Sequence, residues 1–259
     1  TNARSVFFYF LTNTSLILTL NFYSMYIVES YSLAVLFCFI TMLCWGSWGN
    51  TQKLAAKSWR YELFYWDYVI GIVLFSIILG FTLGSIGEEG RSFLTDLQQA
   101  DAKNIGSAIF GGIVFNAANI LLSASVSIAG LAVAFPLGVG LALVLGVVIN
   151  YMGQAKGDPV LLFIGVALVV IAIVLNGIAA GKTQQDSKSS RKGIILAVVA
   201  GVLMAFFYRF VASAMDLENF ATPAIGKMTP YSAFFVFAIG ILLSNFIFNT
   251  LIMRKPFVG

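Results

Sequence analysis

The sequence predicts an all-α polytopic membrane protein, built as a five-helix repeat whose second copy is cut short. Three observations lead there. Of 259 residues, 59% are apolar and only 10% charged, with a mean hydropathy of +0.93. A soluble domain has about 45–50% apolar and about 25% charged residues, so this chain lacks the material for a fully water-facing surface. The apolar residues fall into seven runs long enough to cross a hydrocarbon core of about 30 Å at about 1.5 Å per residue. Lys and Arg gather in alternate links between the runs, as expected if those links are cytoplasmic.

Residues 1–24 stand apart, because the apolar stretch from Val6 to Leu20 is interrupted by Thr12-Asn13-Thr14-Ser15. They read as an extra helix, a poor signal peptide with Arg4 as its basic region, or sequence upstream of a start at Met25; the last is preferred. The seven runs cover residues 30–50, 64–86, 104–125, 127–152, 159–181, 193–215 and 229–253. Breaks such as Gly157-Asp158-Pro159 and Gly181-Lys182-Thr183 have turn or helix-stop chemistry. The runs are apolar on both parities, unlike the alternation of a spanning strand. Cys38 and Cys44 lie about 240° apart around the first helix and read as lipid-buried filler. Trp59, Tyr61, Phe64, Tyr65 and Trp66 form an interfacial aromatic belt at the entry of the second run. Gly80 and Gly84, and Gly138, Gly140 and Gly146 beside Pro136, read first as close-packing positions. A kink at Phe135-Pro136 would also free backbone carbonyls near mid-membrane.

With the link between the first two runs inside, Lys53, Lys57, Arg60, Lys182, Lys188, Arg191, Lys192, Arg254 and Lys255 are all inside. Only Arg91, Lys103, Lys156 and Lys227 fall opposite. At a constant offset of 163 residues, Leu33-Ala34-Val35 matches Leu196-Ala197-Val198, Trp45 falls on Tyr208, and Tyr68 on Tyr231. That offset brackets five runs, so the second copy enters the membrane upside down, the inverted-repeat arrangement of many carriers. The expected organisation is an extension over 1–24, a first repeat over 25–181, a basic cytoplasmic linker over 182–192, and two of five helices of a second repeat over 193–259.

Histidine is absent, which removes imidazole metal sites and His-based catalytic sets. No phosphate-binding loop, dinucleotide fingerprint or carboxylate pair appears on a water-facing segment, so neither an enzyme nor a cofactor or metal site is expected. The net charge of +4 forms no basic patch apart from the run ends, so no nucleic-acid partner is expected.

Polar groups inside the runs are the candidates for function, because burying them in lipid is unfavourable. Asp67 reads either as an interfacial helix cap or as a substrate or proton site, and Arg209 either as a snorkelling cation or as a cavity group. Trp45 and Trp48, in Trp45-Gly46-Ser47-Trp48-Gly49-Asn50, put two indoles on one face that could stack a flat heterocycle or a sugar ring. Asn116 and Asn119, also three apart, should face the bundle interior as helix glue or as ligand. Asn50 and Tyr208 complete the expected solute-contacting set with Trp45, Trp48, Asn116, Asn119 and Arg209, and Asp67 is the expected proton-coupling residue.

Met25-Tyr26-Ile27-Val28-Glu29-Ser30 resembles the opening of the ureide permeases. Asp67-Tyr68 followed by Phe81-Thr82-Leu83-Gly84-Ser85-Ile86-Gly87-Glu88 is similar to their second helix and its exit. Gly111-Gly112-Ile113-Val114, Asn119 and Val148-Ile149-Asn150-Tyr151 resemble their third and fourth helices. The stretch Cys44-Trp45-Gly46-Ser47-Trp48-Gly49-Asn50 departs from their more aliphatic, Pro-containing first helix. The resemblance implies a drug/metabolite-transporter-like fold of ten helices in two inverted five-helix repeats. It also implies proton-coupled movement of allantoin or related oxo-nitrogen heterocycles such as uracil and xanthine, while neighbouring families move sugars. The expectation is a multi-pass permease of the inner or plasma membrane for a small, polar, uncharged solute. The rivals are a membrane scaffold or assembly subunit and a drug or metabolite exporter.

Overall fold

A computed structural model describes residues 24–153, 155, 157–183 and 191–257. The alternatives for residues 1–24 concern a segment almost wholly outside the described residues. Among the described residues, seven helices are long and apolar enough to cross a membrane. The first, α1, spans Tyr31–Ala55. Its N-cap is Ser30, whose hydroxyl accepts from the Leu33 amide at 3.4 Å. The helix continues past Asn50 because Gln52 finds buried partners on the third span: its amide donates to the Ser123 carbonyl at 2.9 Å and its Oε1 accepts from the Ser123 hydroxyl at 3.0 Å. Next come α2 at Tyr61–Phe81, a short α3 at Phe93–Gln99, and α4 at Ala102–Ala129.

Gly130 ends α4 with φ at +79°, a conformation only glycine adopts without strain. The helix therefore runs four residues past residue 125, where the third apolar run ends. Ser125 and Ser127 continue the helix, with hydroxyls bonded to the Gly193 and Ser123 carbonyls respectively. The fourth span begins as α5, Leu131–Phe135, passes through a π-helical turn at Pro136–Gly140, and resumes as α6, Leu141–Gly153. The wider turn lies where proline lacks an amide proton, a recognised cause of helix distortion. Three spans follow: α7 at Pro159–Thr183, α8 at Arg191–Ala214 and α9 at Pro230–Arg254. The side chain of Asp158 starts α7 by accepting from the Val160 and Leu161 amides at 2.7 and 3.1 Å.

The third and seventh spans, α4 and α9, form the centre of the bundle, with half of each most apolar window buried, whereas that of α7 has none. Gly112 and Gly240 let α4 and α9 touch backbone to backbone: a Cβ on Gly112 would collide with the Phe237 carbonyl, and one on Gly240 with that of Ile109. Gly201 and Gly138 bring α8 against the π turn in the same way, with 2.6 Å between a Cβ on Gly201 and the Gly138 oxygen. Phe115, Phe207 and Phe237 fill the space between these crossings edge to face, with Phe115 5.0 Å from Phe207 and 5.2 Å from Phe237. Outward faces of α1 and α7 carry exposed Leu, Ile, Val and Phe, as contact with acyl chains requires.

At the end of the bundle away from the basic links, the segments 82–101 and 215–229 interlock. Asp96 is fully buried there and accepts from Arg91 Nε at 2.9 Å, from the Gln99 amide at 3.2 Å and from the Thr229 backbone N–H at 2.7 Å. Arg91 also donates to the carbonyls of Pro223, Ala224 and Lys227, at 2.7, 3.3 and 2.6 Å. Glu88, Glu89, Asp96 and Asp101 read in sequence as an acidic segment. The structure gives Asp96 a different environment, with its charge neutralised inside a knot joining two loops.

Candidate functional site

Four elements enclose a cavity of about 300 Å³: α1 supplies Cys44, Trp45 and Trp48, α2 supplies Tyr68 and Phe75, α4 supplies Asn119, and α5 supplies Phe135. The helical repeat explains the α1 set, since residues three and four apart share a face. Trp48 stacks on Phe135 with centroids 5.9 Å apart and planes at 27°, and leans on Tyr68 at 5.6 Å. Trp45 meets Phe115 edge-on at 6.4 Å and is otherwise half open. Gly49 allows this arrangement, because a Cβ there would press into the Phe135 ring at 2.7 Å.

Two buried donors in the wall have no protein partner: the indole nitrogen of Trp48 and the side-chain nitrogen of Asn119. Such groups are unusual in a folded interior, where more than about 90% are satisfied. The hydroxyls of Tyr65 and Tyr68 both lie against the Asn119 side chain. Asn116, one turn away, is different. Its oxygen accepts from the Tyr65 hydroxyl at 2.9 Å and its nitrogen donates to the Ser244 hydroxyl at 2.9 Å. It therefore ties α2, α4 and α9 together behind the wall.

The sequence-derived candidates thus separate. Trp45, Trp48 and Asn119 share the cavity, and Asn116 supports it from behind. Asn50 is exposed, with its side-chain nitrogen 3.5 Å from the Gly46 carbonyl. Tyr208 and Arg209 line a second, more open cavity of about 650 Å³ between α6, α7 and α8, with Asn150 and Tyr151 opposite. Asp67 lies on the exposed face of α2, with no hydrogen bond or ion pair among the described residues. Cys44 lines the first cavity, a placement different from lipid-buried filler, while Cys38 is exposed elsewhere on α1.

Sequence reasoning missed several polar groups. Tyr68 entered only as a repeat match, although it lines the cavity. Ser244, Asn245 and Asn249 are buried on α9, and both polar atoms of Asn245 lack a protein partner. Their one-turn spacing in an apolar run is the same signal that marked Asn116 and Asn119. Glu62 is buried at the start of α2 and pairs with Arg60 at 3.0 Å. It lies two residues ahead of the apolar run at 64–86, outside the stretch searched for intramembrane polar groups. Hydrogen bonding to Glu62, and then its charge, raises the Arg60 guanidinium above its ordinary pKa. In the loop after α8, backbone amides of Ala224, then Glu218, hold the Asp216 carboxyl below its usual range. Among the described residues, no group of three or more Cys, Asp or Glu is placed to hold a metal ion.

The ureide permease family model matches residues 64–192, a stretch that includes Tyr68, Asn119 and Phe135. Ureide permease 1 of Arabidopsis thaliana is 23% identical, over 91% of this chain and 75% of its own length. Ureide permease 2 of the same plant is 30% identical, over 64% of this chain and 43% of its own. The probable ureide permease A3 of Vigna unguiculata is 26% identical, over 58% and 41% respectively. No solved structure matches the chain. Seven membrane-length apolar helices among the described residues, together with these similarities, fit a single conclusion: the chain is a ureide-permease-like, integral multi-pass transporter of small molecules rather than an enzyme.

Proposed function

We propose that the chain moves a ureide or a related oxo-nitrogen heterocycle through the cavity between α1, α2, α4 and α5, in symport with protons, across the plasma or inner membrane. The observation that supports this most directly is the pair of unpartnered donors, Trp48 Nε1 and Asn119 Nδ2, in a wall of aromatic rings. Ring carbonyls would satisfy both donors, while the indole and phenol faces stack the heterocycle. In this reading Trp45, Trp48, Tyr68 and Asn119 touch the solute and Asn116 fixes the helices behind them. Tyr208 and Arg209 line the path beyond, in the second cavity. A sugar is the second reading, favoured by the two indoles, but a polyol needs acceptors as well as donors.

The units 25–181 and 193–259, joined by the basic linker 182–192, act as inverted repeats that rock about the cavity. Support comes from the match of Trp45 to Tyr208, since each falls on a cavity wall. Uptake of labelled allantoin, uracil and glucose into vesicles holding the full-length protein tests the reading. Allantoin or uracil should enter and compete with each other, and Trp48→Phe should raise their KM roughly 3–10-fold with little change in maximal rate. Glucose uptake alone would favour the sugar reading, and no uptake of any solute would favour a scaffold.

A further inference from the structure

Phe135 and Val139 belong to two cavities at once. On one side they complete the first cavity, with Trp48, Tyr68 and Asn119. On the other they line an open groove of about 540 Å³ between α5, the π turn and α7, continued by Leu131, Pro136 and Asn176. That groove faces the bilayer. None of the most apolar window of α7 is buried, and Leu175 and Ile178, which flank the groove residues of α7, are 60% and 53% exposed. The wall between the first cavity and the acyl chains is therefore a single layer of side chains, one phenyl ring and one valine thick.

The ring is held by packing. Phe135 stacks on Trp48 with centroids 5.9 Å apart, and the Phe135 and Leu131 side chains fill the notch that Gly49 leaves on α1. Ala134 is 0% exposed and Gly138 is seated against Leu122, so the segment is anchored on both sides of a half-buried ring. The π turn begins at Pro136, which has no amide proton, so the helical ladder changes register just after the residue that carries the ring. The two sides differ in chemistry. The cavity offers the unpartnered donors Trp48 Nε1 and Asn119 Nδ2. The groove is apolar apart from Asn176, whose nitrogen donates within its own helix to the Ala172 carbonyl at 2.9 Å.

We infer that Phe135 is a specificity-determining residue: its ring closes the solute cavity against the bilayer, confining the carrier to compact solutes that arrive through water. The inference rests on the first cavity being the solute site. A heterocycle with an alkyl tail has a head that suits the cavity and a tail that suits the groove, and the ring of Phe135 stands where the two would join. Truncating that ring merges cavity and groove and admits the tail.

The test uses full-length protein in lipid vesicles and two readings. In a chain whose one indole is Trp48, after Trp45→Phe, Trp59→Phe and Trp66→Phe, phosphatidylcholine with brominated acyl chains reports lipid contact by quenching. Quenching should be slight with Phe135 present and rise about twofold or more in Phe135→Ala, because it needs near contact. Asn176→Ala, which alters the groove and leaves the ring, should not change it. With all four indoles restored, uracil and a uracil carrying an octyl tail on a ring nitrogen compete with labelled allantoin for uptake. The ratio of their inhibition constants should shift roughly tenfold in favour of the tailed compound in Phe135→Ala, the gain from burying about two methylenes. Phe135→Leu should shift both readings less and in the same direction, and it serves if the alanine variant does not fold. A ratio unchanged in the folded variants, or quenching as strong with Phe135 as without it, overturns the inference. Failure of uracil and allantoin to compete in the wild-type protein overturns the proposed solute site instead, while the quenching pair still decides whether the ring is the partition.

Discussion

Replacing Asp96 by alanine would test whether the interlocked loops hold the bundle closed at the end away from the basic links. The carboxylate is fully buried and accepts three bonds, from Arg91 Nε at 2.9 Å, Gln99 at 3.2 Å and the Thr229 amide at 2.7 Å. Removing one partner of a buried ion pair costs about 3–5 kcal/mol, because the other charge stays behind without compensation. Arg91 keeps three backbone carbonyls and is 22% exposed, so the low end, about 3 kcal/mol, is expected. Asp96→Asn retains an acceptor for the Thr229 amide and loses only the charge, for which about 1–2 kcal/mol is expected. Thermal unfolding of purified protein in mild detergent reads the difference. At roughly 2–4 °C per kcal/mol for a chain of this size, the alanine variant should melt roughly 6–12 °C lower and the asparagine variant at an intermediate temperature. A shift below 2 °C for alanine, or equal shifts for both, would show that the buried pair does not hold the loops.

Three other outcomes follow from the geometry. Gly112→Val should disrupt the α4–α9 crossing, with a loss of about 1–3 kcal/mol or more by overpacking against backbone, whereas Gly46→Ala, with open space around its Cβ, should melt within 1–2 °C of wild type, taking roughly 0.5 kcal/mol for an unconstrained site. A water-soluble thiol reagent should block transport through Cys44 with protection by excess allantoin, and Cys44→Ala should abolish the block while Cys38→Ala leaves it. Asp216 has a depressed folded-state pKa, so its contribution to stability is present above the ordinary carboxylate value and fades as pH falls through the folded one; the melting temperature of Asp216→Ala should lie beneath that of wild type at neutral pH, and the gap should close as the medium is made strongly acidic.

The seven spans were legible because lipid leaves a backbone no choice but to satisfy itself within helices, and that demand writes runs of about 20 apolar residues into the chain. Their ends were less so. Residues 51–55 look polar enough to leave the helix, yet Gln52 pairs across the bundle with Ser123. The third apolar run ends at Ser125, yet its helix continues to Ala129 and is ended by Gly130 at positive φ. The short α3 and the Asp96 knot depend on a loop more than a hundred residues away, which no local pattern encodes. At the site, the three-residue spacings of Trp45 with Trp48 and of Asn116 with Asn119 located the interior faces. They could not tell Asn119, whose amide nitrogen is unpartnered, from Asn116, whose two polar atoms are bonded, because that difference lies in Tyr65 and Ser244 on other helices. Glu62 was hidden by position, since a carboxylate at a helix start looks like an ordinary cap.

The π turn at Pro136–Gly140 divides one span between two cavities: Phe135 and Val139 face the first, while Val147, Asn150 and Tyr151 face the second. A π turn holds about one residue more than an α turn, so the two halves of the span are offset by about 100° from the register of a continuous α-helix. Deleting a single residue from this stretch would leave the span nearly as long and as apolar, but would turn the second cavity's wall about 100° away from its present facing relative to the first.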